Sequence, residues 1–110
     1  MPTDPKLSLI ERRVVPVGTA GVFARTITGR EYKIFNAQIH ALKEDAEEVK
    51  NIGAVYALVW LTACDEHGRQ LFASLEETSD VTVELAKAIF EVAADLNGLV
   101  KTKDGEQGKA

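Results

Sequence analysis

At 110 residues, with 17 acidic and 13 basic side chains and a net charge of −4, this chain has room for one soluble domain and no second. The acidic balance disfavours nucleic acid as a partner, because neutralising phosphates needs a concentrated basic patch. The one cysteine, Cys64, cannot close an internal disulfide, and no apolar run reaches the ~20 residues of a bilayer span.

The start, Met-Pro-Thr-Asp-Pro-Lys, has no signal-peptide pattern, so a cytoplasmic protein without a membrane contact is expected. Charge is unevenly divided: residues 1–40 carry six basic and three acidic side chains, residues 41–110 seven and fourteen. Such asymmetry suits head-to-tail subunit packing or a charged partner; the plainer alternative is two solvated faces.

Residues 1–10 are expected to be a disordered N-terminus, residues 11–99 a single domain, and residues 100–110 a flexible polar tail. Within the domain, the β-branched stretch around Val14, Val15 and Val17 and the partly alternating stretch from Val22 to Thr28 flank glycines at 18 and 21. That pattern predicts a β-hairpin. Pro16 cannot donate to a ladder, so its strand should be an edge or should end there. A lone hairpin is marginal in water and must pack on helices.

Thr28 followed by Glu31 is a capping-box pattern. It opens a helix whose apolar stripe, Phe35, Ile39, Leu42, Ala46 and Val49, runs to a predicted break at Asn51 and Gly53. Residues 52–64 then form thirteen uncharged positions, apolar on every side of any helix they make. A helix of that kind has to be covered all round, so it is read as the centre of the fold.

Asp65-Glu66-His67-Gly68-Arg69 is a charged turn. Gln70-Leu71-Phe72 is a short extended piece that drops Leu71 or Phe72 onto the core, and residues 74–80 are a polar acidic connection. Asp80 or Thr82 caps a last helix with a stripe at Leu85, Ile89, Val92 and Leu96. Asn97-Gly98-Leu99 closes it with a left-handed residue followed by an apolar one. The predicted fold class is α+β and mostly helical, an N-terminal β-hairpin packed on three helices with the apolar one central.

No catalytic, cofactor or metal site is read from these residues. Cys64 and His67 supply two potential ligands where a structural zinc needs four. Adjacent acids such as Glu47 and Glu48 diverge by about 100° on a helix and cannot face each other as an acid–base pair. Gly18 and Gly21 do not make a phosphate-binding fingerprint. The aromatics are not interleaved with basic residues as a base-stacking platform would be. The central helix does carry more apolar surface than two amphipathic helices and a hairpin can easily cover. Tyr56, Val59 and Trp60, with Phe90 nearby, are therefore the candidate protein-binding residues; the alternative is that all four are core.

Taken together, Asp65-Glu66-His67-Gly68-Arg69-Gln70-Leu71-Phe72 and Asn97-Gly98-Leu99 resemble the tail assembly chaperones of long-tailed bacteriophages. In that family an alanine-rich apolar helix runs into a turn of the form Asp-Glu-Asp-Gly-x-x-Leu-Phe. An acidic stretch follows, then an amphipathic helix closing on Asn-Gly. The helix entry Ile27-Thr28-Gly29-Arg30-Glu31 is also similar, and the likeness covers about residues 12–99, departing at Gly29 and at His67, where the family often has an acid.

The resemblance implies a non-enzymatic chaperone, a homo-oligomer in the host cell cytoplasm without a cofactor. It would coat the long helical tape measure protein, recruit tail tube subunits and leave before the virion is complete. It also implies a short form of a −1 frameshift pair, whose extended form contacts the tail tube protein. Gly108-Lys109 is a dipeptide that a slippery codon pair can encode. Competing readings are a small head–tail or tail protein retained in the virion, an enzyme built on Cys64 and His67, and a bacterial adaptor domain.

Overall fold

The structure, a computed structural model, describes residues 12–99. The expectations for residues 1–10 and 100–110 fall outside the described residues. Strand β1 (Val14–Pro16) and strand β2 (Phe23–Arg25) pair antiparallel, Val15 opposite Ala24. The Val17 N–H donates to the Val22 carbonyl at 3.0 Å and closes the loop between them. β1 is an edge, as Pro16 at its end requires.

Helix α1 (Gly29–Ala41) opens on the capping box read from the sequence. Thr28 Oγ1 accepts from the Glu31 N–H at 3.2 Å, and the Glu31 carboxylate accepts from the Thr28 N–H at 3.0 Å. The helix ends earlier than its apolar stripe suggests. The chain turns through residues 42–46, and helix α2 (Glu47–Thr62) begins before the expected break at Asn51 and Gly53.

Gly53 is a point of close approach inside α2. A Cβ there would collide with Leu42 Cδ1, which the turn has brought back over the helix. The stripe from Phe35 to Val49 is thus split between two helices that pack on each other, a distinction that periodicity alone does not make.

α2 is the centre of the fold, as expected. Val55, Ala57, Leu58, Val59, Leu61 and Thr62 are buried, between α1 on one side and the last helix on another. It stops two residues short of the predicted helical run. Ala63–Cys64 form a strand, β3, that pairs with β2 through Ala63 opposite Ala24. The expected hairpin is therefore a three-stranded antiparallel sheet in the order β1-β2-β3. The free edge of β2 would otherwise leave backbone groups unpaired in the interior; the end of α2 extends to satisfy them.

Residues 75–80, expected as a plain connection, form a 3-10 helix (Leu75–Asp80) pinned by buried Thr78. Thr82, and not Asp80, caps helix α3 (Val83–Leu96), its Oγ1 accepting from the Leu85 N–H at 3.2 Å. The buried line of α3 is Ala86, Ile89, Ala93 and Ala94, while Leu85 and Val92 are half-buried at its side. Three alanines on the inner line let α3 sit close on α2. The helix closes as expected, with the Leu99 N–H donating to Ala94 O at 2.7 Å and the Gly98 N–H to Asp95 O at 3.2 Å. Among the described residues, no helix is long and apolar enough to cross a membrane.

Candidate functional site

One charged side chain organises the interior, and it belongs to the sheet. Arg25 stands at the end of β2 with only 7% of its surface exposed. Its Nε donates to the Leu61 carbonyl in the last turn of α2 at 3.2 Å, and Nη1 donates to the Gly68 carbonyl at 3.0 Å. Nη2 reaches the Glu31 carboxylate at 3.4 Å. Glu31 is meanwhile held in a two-pronged pair by Arg12, at 2.8 and 3.0 Å, and Arg12 also donates to the Thr26 carbonyl at 3.2 Å. Arg25 alone therefore ties β2, the end of α2, the turn after β3 and the start of α1.

Burial pushes the Glu31 carboxyl up, but the Arg12 hydrogen bond, the Thr28 N–H and the charges of Arg12 and Arg25 outweigh it and leave it below the ordinary glutamate range. A carboxylate depressed in the folded state contributes stability above its unfolded value of about 4.3 and loses it as pH falls through the folded value. Glu31→Gln keeps the capping acceptor but removes the charge. It should therefore cost about 1–2 kcal/mol near neutral pH. The difference from the parent chain should shrink steadily below about pH 4.3, as followed by urea unfolding across that range. A difference that does not change with pH would show that the charge is not what Glu31 contributes.

The turn after β3 is built from the sequence motif itself. Asp65 Oδ1 accepts from the N–H groups of His67 and Arg69 at 2.8 and 2.9 Å, and the Asp65 N–H donates to Arg69 O at 3.0 Å. The Arg69 N–H holds the Asp65 carboxyl below its usual range, aided by that of His67. Gly68 has φ +84, where a side chain is strained, and this conformation presents its carbonyl to Arg25. Beyond the turn the Leu71 N–H returns to Ala63 O at 3.0 Å, and Phe72, not the exposed Leu71, packs on the core.

Asn97 completes the arrangement from the other end of the chain. Its Oδ1 accepts from the Ile27 N–H at 2.9 Å, and its Nδ2 donates to Arg25 O at 3.3 Å and Ala93 O at 3.0 Å. The motifs at 65–72 and 97–99 thus meet on one residue, Arg25, which sequence reasoning passed over. A signal was available: Arg25 is the one charge in residues 14–29.

The four candidate contact residues do not share one environment. Val59 is wholly buried in the core, so the exposure expected of it is not found. Tyr56 and Trp60 lie one turn apart on α2, both half-buried. Tyr56 donates its hydroxyl to the Val81 carbonyl at 2.6 Å, while Trp60 Nε1 is shielded and finds no acceptor among the described residues. Phe90, on α3, is half-buried against the core. Tyr56 also lines an open groove of about 380 Å³ between α1, α2 and the 3-10 helix.

Cys64 and His67 are not a working pair. The thiol is fully buried, and burial, with Asp65 adding to it and Arg25 opposing, pushes it above its ordinary range. His67 lies at the surface beside Glu66, at 3.4 Å. A thiol so placed is not the nucleophilic thiolate that such chemistry needs.

No family model and no curated protein matches this chain. Among solved structures, the structure of the bacteriophage HK97 tail assembly chaperone matches with a TM-score of 0.60. The match covers 83% of this chain and 89% of that one at 17% identity. Over most of its length this chain has a fold similar to that of a phage tail assembly chaperone.

Proposed function

We propose that this chain is a tail assembly chaperone of a long-tailed bacteriophage. The observation that supports the reading best is the shared fold, joined to the place of the two motifs within it: residues 65–72 and 97–99 are the joints that hold sheet and helices together at Arg25. Its role is non-enzymatic. In the host cytoplasm it coats the tape measure protein as a homo-oligomer, recruits tail tube subunits and leaves before the virion is finished. Tyr56, Trp60 and Phe90 contribute to the contact surface. The chain is the short form of a frameshift pair.

Co-expression with the very long helical reading frame of the same gene cluster tests the central claim. This chain should keep that protein soluble and co-purify with it, and Trp60→Ala should weaken the complex while leaving the thermal midpoint of the chaperone within a few degrees. Aggregation of the tape measure protein regardless of this chain would refute the reading. Recovery of this chain in purified virions would favour a structural tail protein. A −1 open frame across the codons for Gly108-Lys109 would support the paired form.

A further inference from the structure

The groove beside Tyr56 has an apolar floor and polar walls, with Gln38 on one side and Glu76, Thr78 and Ser79 on the other. Leu42, Gly53, Tyr56 and Leu75 make the floor, and Glu76 is the one charged residue that lines it. Gly53 lets Leu42 pack down on α2 at one end of this floor, since a Cβ there would collide with Leu42 Cδ1. On α1 the apolar strip extends past the groove: exposed Ile34 stands one turn before Gln38, which lines the wall, and Ala41 is exposed beside Leu42. From Ile34 to Leu42 the strip runs about 12 Å, the length of roughly two helical turns. Phe35 turns to the core, while Ile34 and Ala41 are exposed on the groove side of α1.

Two of the three segments that border the groove are mostly acidic, while α1 carries Arg30 and Lys33 toward its start. The turn after Leu42 and the first turn of α2 hold Glu44, Asp45, Glu47 and Glu48, and the 3-10 helix holds Glu76, Glu77 and Asp80. Against these stand Lys43 and Lys50, and Lys50 is already 3.4 Å from Glu47.

We infer that this groove takes one face of an amphipathic helix whose apolar stripe is flanked by lysine or arginine. An apolar stripe at i, i+3, i+4 and i+7 fits a trough of this kind, and the acidic rim selects against a partner with acidic flanks. The inference rests on the chaperone reading for the partner, a segment of the coated protein, and names the chemistry by which that segment is recognised.

Two synthetic peptides of equal length and the same leucine stripe, one flanked by lysines and one by glutamates, test it by fluorescence anisotropy against the full chain. The lysine peptide should bind at least ~10-fold more tightly and lose that advantage in high salt. The double variant Glu76→Lys/Asp80→Lys, changed only at exposed positions, should reverse the preference. Equal binding of the two peptides, or a preference unmoved in the variant, overturns the inference. A variant that alters sedimentation of the chain alone, with peptide binding unchanged, assigns the groove to a second copy and overturns it too. In co-expression, a charge-reversed chain that still keeps the tape measure protein soluble removes the groove and spares the chaperone. Failure of the parent chain to do so removes the chaperone reading by itself.

Discussion

Replacing Arg25 by alanine should destabilise the fold by about 3–5 kcal/mol, the range for removing one partner of a buried, hydrogen-bonded charge. Three losses combine. The buried Leu61 carbonyl and the part-buried Gly68 carbonyl lose their charged donor, and a buried acceptor left without a partner costs about 1–3 kcal/mol before relaxation. Glu31 keeps Arg12 but loses its second guanidinium. The aliphatic stem of Arg25 is itself buried, and its removal leaves a void.

Arg25→Lys is the informative companion. It restores a charge, but an ammonium on an unbranched stem cannot reach three acceptors set around a planar fork, so it should recover less than half of the loss. Equilibrium urea unfolding with a fixed m-value measures both. A cost under about 1 kcal/mol for the alanine variant would mean that water replaces the guanidinium and that Arg25 is not the joint described above.

Arg25 also marks where the sequence stops being legible. Features set by residues within one turn of each other could be read directly: the Thr28–Glu31 capping box, the edge strand ending at Pro16, and the Asn97-Gly98-Leu99 helix stop. Each is a local contest between backbone partners, and the side chains that decide it are adjacent. The end of α1 could not be read, because the apolar period runs unbroken through the turn; Leu42 returning over Gly53 is what divides it.

Nor could β3, since Ala63 and Cys64 are as apolar as the helix before them and become a strand only because β2, some forty residues earlier, presents an edge. For the candidate surface the same limit applies. Helical spacing placed Tyr56 and Trp60 on one side of α2, but whether Val59 pointed to solvent depended on where α3 docked. Val59 is wholly buried once the elements around α2 have packed on it.

Leu58→Ala should be the costliest single change in α2, at about 3–4 kcal/mol. Leu58 is wholly buried and belongs to the same core cluster as Ile89, Ala86 and Ala93 of α3. Those alanines carry only a methyl group with no torsion that could swing into the space, so the cavity should stay largely open, and cavities that cannot collapse sit at the upper end of the range. For a domain of this size such a loss lowers the thermal midpoint by roughly 12 °C or more and takes a large share of a total stability of about 5–10 kcal/mol.

Comparison with Trp60→Ala separates two roles on one helix. Trp60 is half-exposed and its indole N–H is unpaired among the described residues, so its truncation removes less packing and no hydrogen bond. Under the proposed function, Leu58→Ala should solubilise the coated protein normally in the cold and fail near its own midpoint, whereas Trp60→Ala should be weak at every temperature. A Leu58 variant that unfolds within about 1 kcal/mol of the parent would mean that α3 shifts to refill the core. In that case the close fit of α2 on α3 is not what fixes the fold.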